Sequence, residues 1–131
     1  QKTMVKKPAP NKAKLMIDYE DRCALFDSLV LCRFFRDFIM WDEIATLIEA
    51  TTGLRFNKQQ LEILANDITQ MTRQYNRREG LGGSTDTLPK RFLTEPTEEG
   101  ATLTRQQLDT MIKEYNEIRN TREDEKRKCC Q

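Results

Sequence analysis

Asp27 and Cys32 are the residues whose types and spacing could bind a charged group or a metal. Asp27 interrupts an apolar run that extends from Cys23 to Phe35. A carboxylate within such a run is costly to bury unless a partner binds it or donates hydrogen bonds to it. Cys32 follows at the far end of the run, and thiolates are the usual ligands of iron–sulfur clusters. The run therefore predicts a partner that the rest of the chain does not supply.

The geometry of a helix limits what Asp27 and Cys32 could do together. On a continuous α-helix they would lie about 140° apart, because each residue turns by about 100°. One ligand could contact both side chains only if the helix ended or bent within this hexapeptide. The alternative is a buried helix, in which Asp27 caps a neighbouring element and Cys32 packs as a small hydrophobe. The hexapeptide by itself favours that alternative.

The hexapeptide Asp27-Ser-Leu-Val-Leu-Cys32 also resembles the Asp-x-x-Gly-Leu-Cys motif of the tungsten-containing aldehyde ferredoxin oxidoreductases. Val30 stands where many members have Gly, and the formaldehyde-type branch is closer here. Several separate motifs in the family's order are more specific than any one of them. Over roughly residues 11–119 these further matches are Trp41-Asp-Glu-Ile, Thr52-Gly-Leu, Tyr75-Asn-Arg-Arg-Glu-Gly80, Asp86-Thr-Leu-Pro-Lys-Arg-Phe92, Glu95-Pro96 and Met111-Ile-Lys-Glu-Tyr115.

The resemblance implies roles for four residues and assigns no catalytic residue to this chain. Asp27 and the backbone at Leu31 would hold one pterin of a tungsten bis-pterin cofactor. Cys32 would be the fourth ligand of a [4Fe–4S] cluster. Arg33 could hydrogen-bond a cluster sulfide or a pterin phosphate, or it could be a surface arginine at a helix end. The implied reaction is oxidation of an aldehyde to its carboxylic acid, with electron transfer to ferredoxin.

The cysteines limit what the chain can do alone. It has four, with no Cys-x-x-Cys group of the kind that holds a cubane cluster. We predict that Cys23 packs in the core and that Cys129 and Cys130 are exposed tail thiols. By the resemblance, the other cluster ligands belong to an earlier domain, so we expect a fragment or separately encoded piece that is inactive and binds no cofactor alone. Its partners would be ferredoxin and the missing N-terminal cofactor-binding domains, and exposed apolar surface predicts self-association.

Composition excludes several classes of function. The chain has 131 residues, which suits one domain. It has no histidine, which excludes histidine triads and histidine metal sites. With 22 Lys and Arg against 21 Asp and Glu, the net charge of +1 provides little attraction for phosphates. No apolar run reaches the roughly 18 residues that a membrane span needs. We expect a cytoplasmic protein without a secretion signal, a membrane partner or a nucleic-acid partner.

The periodicity predicts an all-α fold of about four helices with one long irregular loop. We divide the chain into a flexible basic leader (1–10), a helical domain (11–120) and a charged, frayed tail (121–131). The first helix should run from near Lys12 to about Asp37. In the short segment before the apolar run, Glu20, Asp21 and Arg22 are expected to be solvated and locally paired.

Capping signals predict the boundaries of the remaining helices. The second should begin near Trp41 and end before Gly53 in the left-handed conformation. Asn57 and Gln60 form a capping box for the third, which should end at Gly80. The loop then covers residues 80–101, and Thr104 caps the last helix. The apolar stripe expected on the third helix comprises Leu61, Leu64, Ile68, Met71 and Tyr75.

Two other functions are compatible with a helical domain. The first is a non-catalytic interaction module that kept the fold and lost the cofactor. The second is a helix-turn-helix DNA-binding protein, with its turn at 53–56 and with Lys58, Gln59 and Gln60 at the start of the recognition helix. The near-zero net charge and the acidic residues that follow make DNA binding the weaker alternative.

Overall fold

The computed structural model describes residues 12–82, 85–96, 100 and 102–129, with side chains up to residue 122. This part of the chain is helical without strands, which confirms the predicted all-α class and the long irregular connection. The predicted leader (1–10) and Cys130 lie outside the described residues, as does the side chain of Cys129. The helices are α1 (Lys12–Ser28), α2 (Trp41–Thr52), α3 (Lys58–Arg78), α4 (Arg91–Thr94) and α5 (Arg105–Cys129), with a 3₁₀ turn at Arg33–Phe35.

The described chain forms two compact units. One unit is Ile17–Tyr75, and the other comprises the residues before and after it. None of the described helices has the length and apolar character that a membrane span requires. The division into leader, helical domain and tail stays a prediction.

The apolar core of the Ile17–Tyr75 unit joins its three longest helical segments. Buried side chains recur at three- and four-residue spacing, so that each helix presents one apolar stripe. Each large apolar side chain contributes about 1.5–3 kcal/mol when it is fully buried. The core comprises Leu25 and Phe26 of α1, Trp41, Ile44 and Ile48 of α2, and Leu61 and Ala65 of α3.

Local capping sets the boundaries of α2. The backbone N–H of Met40 donates to a carboxylate oxygen of Glu43 at 2.9 Å, which satisfies a donor at the helix start. Gly53 follows the helix with φ of 75°, and its N–H donates to the carbonyl of Glu49 at 2.9 Å. The predicted start near Trp41 and stop at Gly53 are both confirmed.

The capping box predicted for α3 is present. The N–H of Asn57 donates to the side chain of Gln60, and the N–H of Gln60 donates to the side chain of Asn57, both at 2.9 Å. The predicted apolar stripe is correct in part, since Ile68 is partly buried and packs against the core cluster. Leu61 is buried, whereas Leu64, Met71 and Tyr75 are exposed. The buried face of α3 instead includes Asn66, Thr69 and Gln70, polar residues that periodicity of apolar residues cannot find.

The other unit contains α4 and α5. At the start of α5, the N–H of Thr104 donates to the side chain of Gln107, and the N–H of Gln107 donates to the hydroxyl of Thr104, which confirms the predicted cap. Leu108 and Arg119 are buried, and the Arg119 guanidinium lies 5.5 Å from the centre of the Tyr115 ring. The backbone of α5 stays helical to Cys129, beyond the end expected near Asn120.

Candidate functional site

Helix α1 ends inside the hexapeptide that contains Asp27 and Cys32. The N–H of Val30 donates to the carbonyl of Asp27 at 3.2 Å, and the N–H of Leu31 donates to the carbonyl of Phe26 at 2.8 Å. This pair of bonds is the Schellman arrangement that closes a helix and turns the chain away. The prediction of a helix continuing to about Asp37 is therefore wrong, because the last helical residue is Ser28.

Val30 is the residue that makes this turn, with φ of 56°. It has the only positive φ among the non-glycine residues that the structure describes. A β-branched residue is unfavourable in this left-handed region, where glycine is the usual choice. The Val30 side chain is 91% exposed and gains little from burial there. Leu31, the next residue, packs against the core cluster. This packing favours the turn, although valine itself has no preference for the left-handed conformation.

Asp27 forms an ion pair across the turn with Arg33. The Arg33 Nε donates to Asp27 Oδ1 at 2.8 Å, and Nη2 donates to Oδ2, so that both carboxylate oxygens accept from one guanidinium. The hydrogen bonds from Arg33 lower the pKa of Asp27 below its usual value, so this carboxylate is ionised at neutral pH. Both side chains are more than half exposed. The sequence suggested a buried carboxylate within an apolar helix, but Asp27 is exposed near the end of α1.

Cys32 lies just beyond the turn, with an exposed side chain. Its carbonyl accepts the N–H of Phe35 at 3.1 Å, which starts the 3₁₀ turn. Cys23 differs: it is buried in α1, and burial raises the pKa of its thiol. The prediction of Cys23 as a core residue is confirmed. Of these two cysteines, only Cys32 presents its sulfur where a metal centre could reach it.

A second group of contacts, missed by the sequence reasoning, attaches the segment after α1 to the helix itself. The Arg22 guanidinium donates to Asp18 Oδ2 at 3.1 Å and to the carbonyl of Arg36 at 2.8 Å. The indole N–H of Trp41 donates to Asp18 Oδ1 at 2.8 Å. The expectation that Asp21 and Arg22 lie in a solvated turn is wrong, since both are buried on α1.

Of these contacts, only the one between Asp18 and Arg22 follows from spacing that was visible in the sequence. Asp18 and Arg22 are four residues apart, the distance at which side chains meet on a helix. A buried tryptophan N–H needs an acceptor, and Asp18 supplies it. The hydroxyl of Thr69 likewise donates to Asp21 at 2.9 Å, which attaches α3 to α1. The contacts of Trp41 and Thr69 could not be predicted, because nothing in the local sequence identifies which acceptor a distant donor reaches.

Between α1 and α2 the chain exposes an unusual number of apolar side chains. We call residues 29–40 the connecting segment. Scattered exposed apolar residues are normal, but a cluster of them marks an interaction surface. The exposed apolar residues of the connecting segment are Leu29, Val30, Phe34, Phe35, Phe38 and Met40, with Phe34 the most exposed of the aromatic ones at 86%.

Comparison with known proteins identifies the family. A family model described as "Aldehyde ferredoxin oxidoreductase, domains 2 & 3" matches residues 1–125, including the leader, in which no motif was found. The tungsten-containing aldehyde ferredoxin oxidoreductase of Pyrococcus furiosus is 34% identical over 118 residues, which cover 88% of this chain and 20% of that protein. The protein of the same name from Thermococcus kodakarensis is 32% identical over 115 residues, covering 86% of this chain and 19% of that protein.

The helical fold and these similarities agree on one family. The chain belongs to the aldehyde ferredoxin oxidoreductase family, in the region of domains 2 and 3. It spans about one fifth of the length of the curated relatives that it matches. No solved structure matches the chain significantly.

Proposed function

We propose that this chain is the C-terminal helical part of a tungsten-pterin aldehyde ferredoxin oxidoreductase. In this proposal it supplies one ligand of an iron–sulfur cluster and the contacts to one pterin. The observation that carries the proposal is the end of α1 at Ser28, inside the hexapeptide. Because the helix stops there, the exposed Asp27 carboxylate and the exposed Cys32 thiol lie on either side of one tight turn.

Asp27 would accept hydrogen bonds from the amine groups of a pterin. It is ionised and exposed, as that role requires. An ionised carboxylate has about four acceptor sites, and Arg33 uses two of them, so a pterin could bind without displacing Arg33. The N–H of Leu31 already donates to the carbonyl of Phe26, so a backbone contact at Leu31 would use its carbonyl oxygen. Arg33 would remain beside the cofactor and favour its anionic groups.

Cys32 would be the cluster ligand that this chain contributes. In the part of the chain that the structure describes, no three His, Cys, Asp or Glu side chains are grouped to hold a metal. A [4Fe–4S] cluster takes four ligands, so the proposal assigns the other three to the cofactor-binding domains. The exposed apolar side chains of the connecting segment would face those domains.

Bound tungsten and cluster would supply a two-electron oxidation, in which an aldehyde and water give a carboxylic acid, two protons and two electrons for ferredoxin. The residues of this chain would hold the cofactor and adjust its surroundings, and the redox chemistry would belong to the cofactor itself. The chain would therefore be inactive by itself.

Metal analysis tests this proposal. The chain would be recovered under anaerobic conditions from its native cells, and tungsten and iron would be measured per mole of protein. We expect both metals at a fixed ratio, together with a larger cysteine-rich polypeptide. The Cys32→Ala variant should lose most of the iron, because its cluster would lack one of four ligands.

Cys23→Ala is the matched control, since it removes a cysteine of the same helix–turn region that is buried and assigned no ligand role. It should retain the iron of the unmodified chain. Equal iron in Cys32→Ala and in the unmodified chain would contradict the ligand role. A chain recovered without tungsten or iron would support the alternative of a non-catalytic interaction module.

A further inference from the structure

Arg22 is a buried arginine of α1 that contacts the connecting segment. Its side chain is 7% exposed, which is rare for arginine and requires several partners. Besides Asp18 and the carbonyl of Arg36, the guanidinium reaches the sulfur of Met40 at 3.4 Å. It also lies 5.7 Å from the centre of the Tyr19 ring. The Arg22 guanidinium thus connects α1 to the segment at two residues.

The connecting segment is attached to the unit near both of its ends, and Cys32 lies between the attachments. At the near end, the N–H of Leu31 donates to Phe26, and Leu31 packs on the core. At the far end, Arg22 holds the carbonyl of Arg36 at 2.8 Å. The far attachment falls only four residues after Cys32. If it were lost, the 3₁₀ turn that begins at the Cys32 carbonyl would be free to move.

Tyr19 adds a second contact to the far attachment. The guanidinium of Arg36 lies 5.5 Å from the centre of the Tyr19 ring, so that the ring interacts with Arg22 and with Arg36. A planar guanidinium can stack on a ring while its N–H groups donate within the plane. Lysine has a single charged nitrogen and cannot do both. The arrangement therefore favours arginine over lysine at position 22, although either residue would place a positive charge near Asp18.

We infer that Arg22 is a positioning residue, which fixes the connecting segment and thereby the Cys32 thiol. The inference rests on the proposed ligand role of Cys32 for its functional meaning. Its physical content, the immobilisation of residues 32–39 by a buried side chain of α1, can be measured on the chain without any metal.

Amide hydrogen exchange on the full chain tests the immobilisation. Arg22→Met keeps the length of the side chain and removes every polar contact, and Arg22→Lys keeps the charge. Arg55→Met is the matched control, because Arg55 is an exposed arginine that pairs with Glu49 outside the segment. The reporting amides are those of Phe35, Arg36, Phe38 and Ile39, which donate within the segment, and the reference amide is that of Leu61 at the start of α3.

We expect Arg22→Met to speed exchange of the reporting amides by about 10- to 100-fold relative to Leu61, the effect of losing hydrogen bonds to a charged group. Arg22→Lys should give a smaller increase, and Arg55→Met none. An equal increase at Leu61 in both Arg22 variants would show a general loss of stability and overturn the inference. So would unchanged exchange in the segment.

A second measurement separates this inference from the proposed function. In the anaerobically recovered assembly, the visible and electron paramagnetic resonance spectra of the cluster should shift in Arg22→Lys and not in Arg55→Met. An unchanged spectrum in Arg22→Lys, with iron retained, would overturn the role of Arg22 in placing the Cys32 ligand. Iron absent from the unmodified chain, with faster exchange in Arg22→Met, would refute the cluster proposal and leave Arg22 as the residue that orders the segment.

Discussion

The ends of α1 and α3 have the same backbone geometry but reach it by different means. At α1 the N–H groups of Val30 and Leu31 close the turn. At α3 the N–H of Gly80 donates to Arg77 at 3.1 Å, and that of Leu81 donates to Asn76 at 2.9 Å. The left-handed residue is Gly80 in α3, with φ of 82°, and Val30 in α1.

The residue after each turn shows why α1 tolerates a valine. Leu31 packs against the core cluster, whereas Leu81 is 55% exposed. Glycine adopts the left-handed conformation without a steric cost, so the α3 end needs no packing. The α1 end depends on the burial of Leu31 to hold Val30 in an unfavourable conformation. Backbone strain of this kind is concentrated at functional sites, and here it lies between Asp27 and Cys32, the proposed contacts.

The largest difference between the two ends should appear on truncating the residue after the turn. Leu31→Ala should lower the free energy of unfolding by about 2 kcal/mol, because a packed leucine is lost. Leu81→Ala should change it by less than about 0.5 kcal/mol, as is usual for an exposed side chain. Urea unfolding followed by circular dichroism measures both. Equal losses would mean that packing of Leu31 does not distinguish the two ends.

Exchanging the left-handed residues should have smaller effects of opposite sign. Val30→Gly should raise the free energy of unfolding by about 0.5–1 kcal/mol, since relief of the left-handed strain exceeds the added entropy of the unfolded chain. Gly80→Val should lower it by about 1 kcal/mol for the converse reason. The same urea titrations apply. Destabilisation by Val30→Gly would show that the valine side chain contributes to the turn despite its exposure.

The ion pair across the α1 turn should have the smallest effect on the free energy of unfolding. The titration of Asp27 makes this effect measurable. Its pKa is lowered in the folded chain, so the pair stabilises the fold above the pKa of the unfolded chain and ceases to do so as pH falls through the folded pKa. Carbon-13 NMR of the Asp27 carboxyl should show a midpoint below about 3.9, the value of an unperturbed aspartate. In Arg33→Gln the midpoint should rise toward that value.

Arg55→Gln serves as the control for that titration, because Arg55 pairs with Glu49 and not with Asp27. It should leave the Asp27 midpoint unchanged. High salt should raise the midpoint in the unmodified chain, since exposed pairs are screened. A midpoint that does not move in Arg33→Gln would assign the lowered pKa to another group.

The boundaries that the sequence predicted correctly carry local signals. Asn57 with Gln60, and Thr104 with Gln107, form their capping bonds within three residues of the chain. Gly53 ends α2 by its own conformational freedom. The end of α1 carries no such signal, because neither glycine nor proline occurs in the apolar run. In many members of the family glycine stands at the position of Val30, and glycine is the usual residue of such a turn.

The sequence by itself determined the all-α class, the family and three of the helix starts, because these depend on periodicity, on ordered motifs and on contacts between near neighbours in the chain. The tertiary structure decided where α1 ends, that Arg22 is buried and that Asp27 pairs with Arg33. Each of these is fixed by partners outside the local window: the core that receives Leu31, and the connecting segment that folds back to α1. A local pattern cannot encode a turn whose stability comes from packing against residues of other helices.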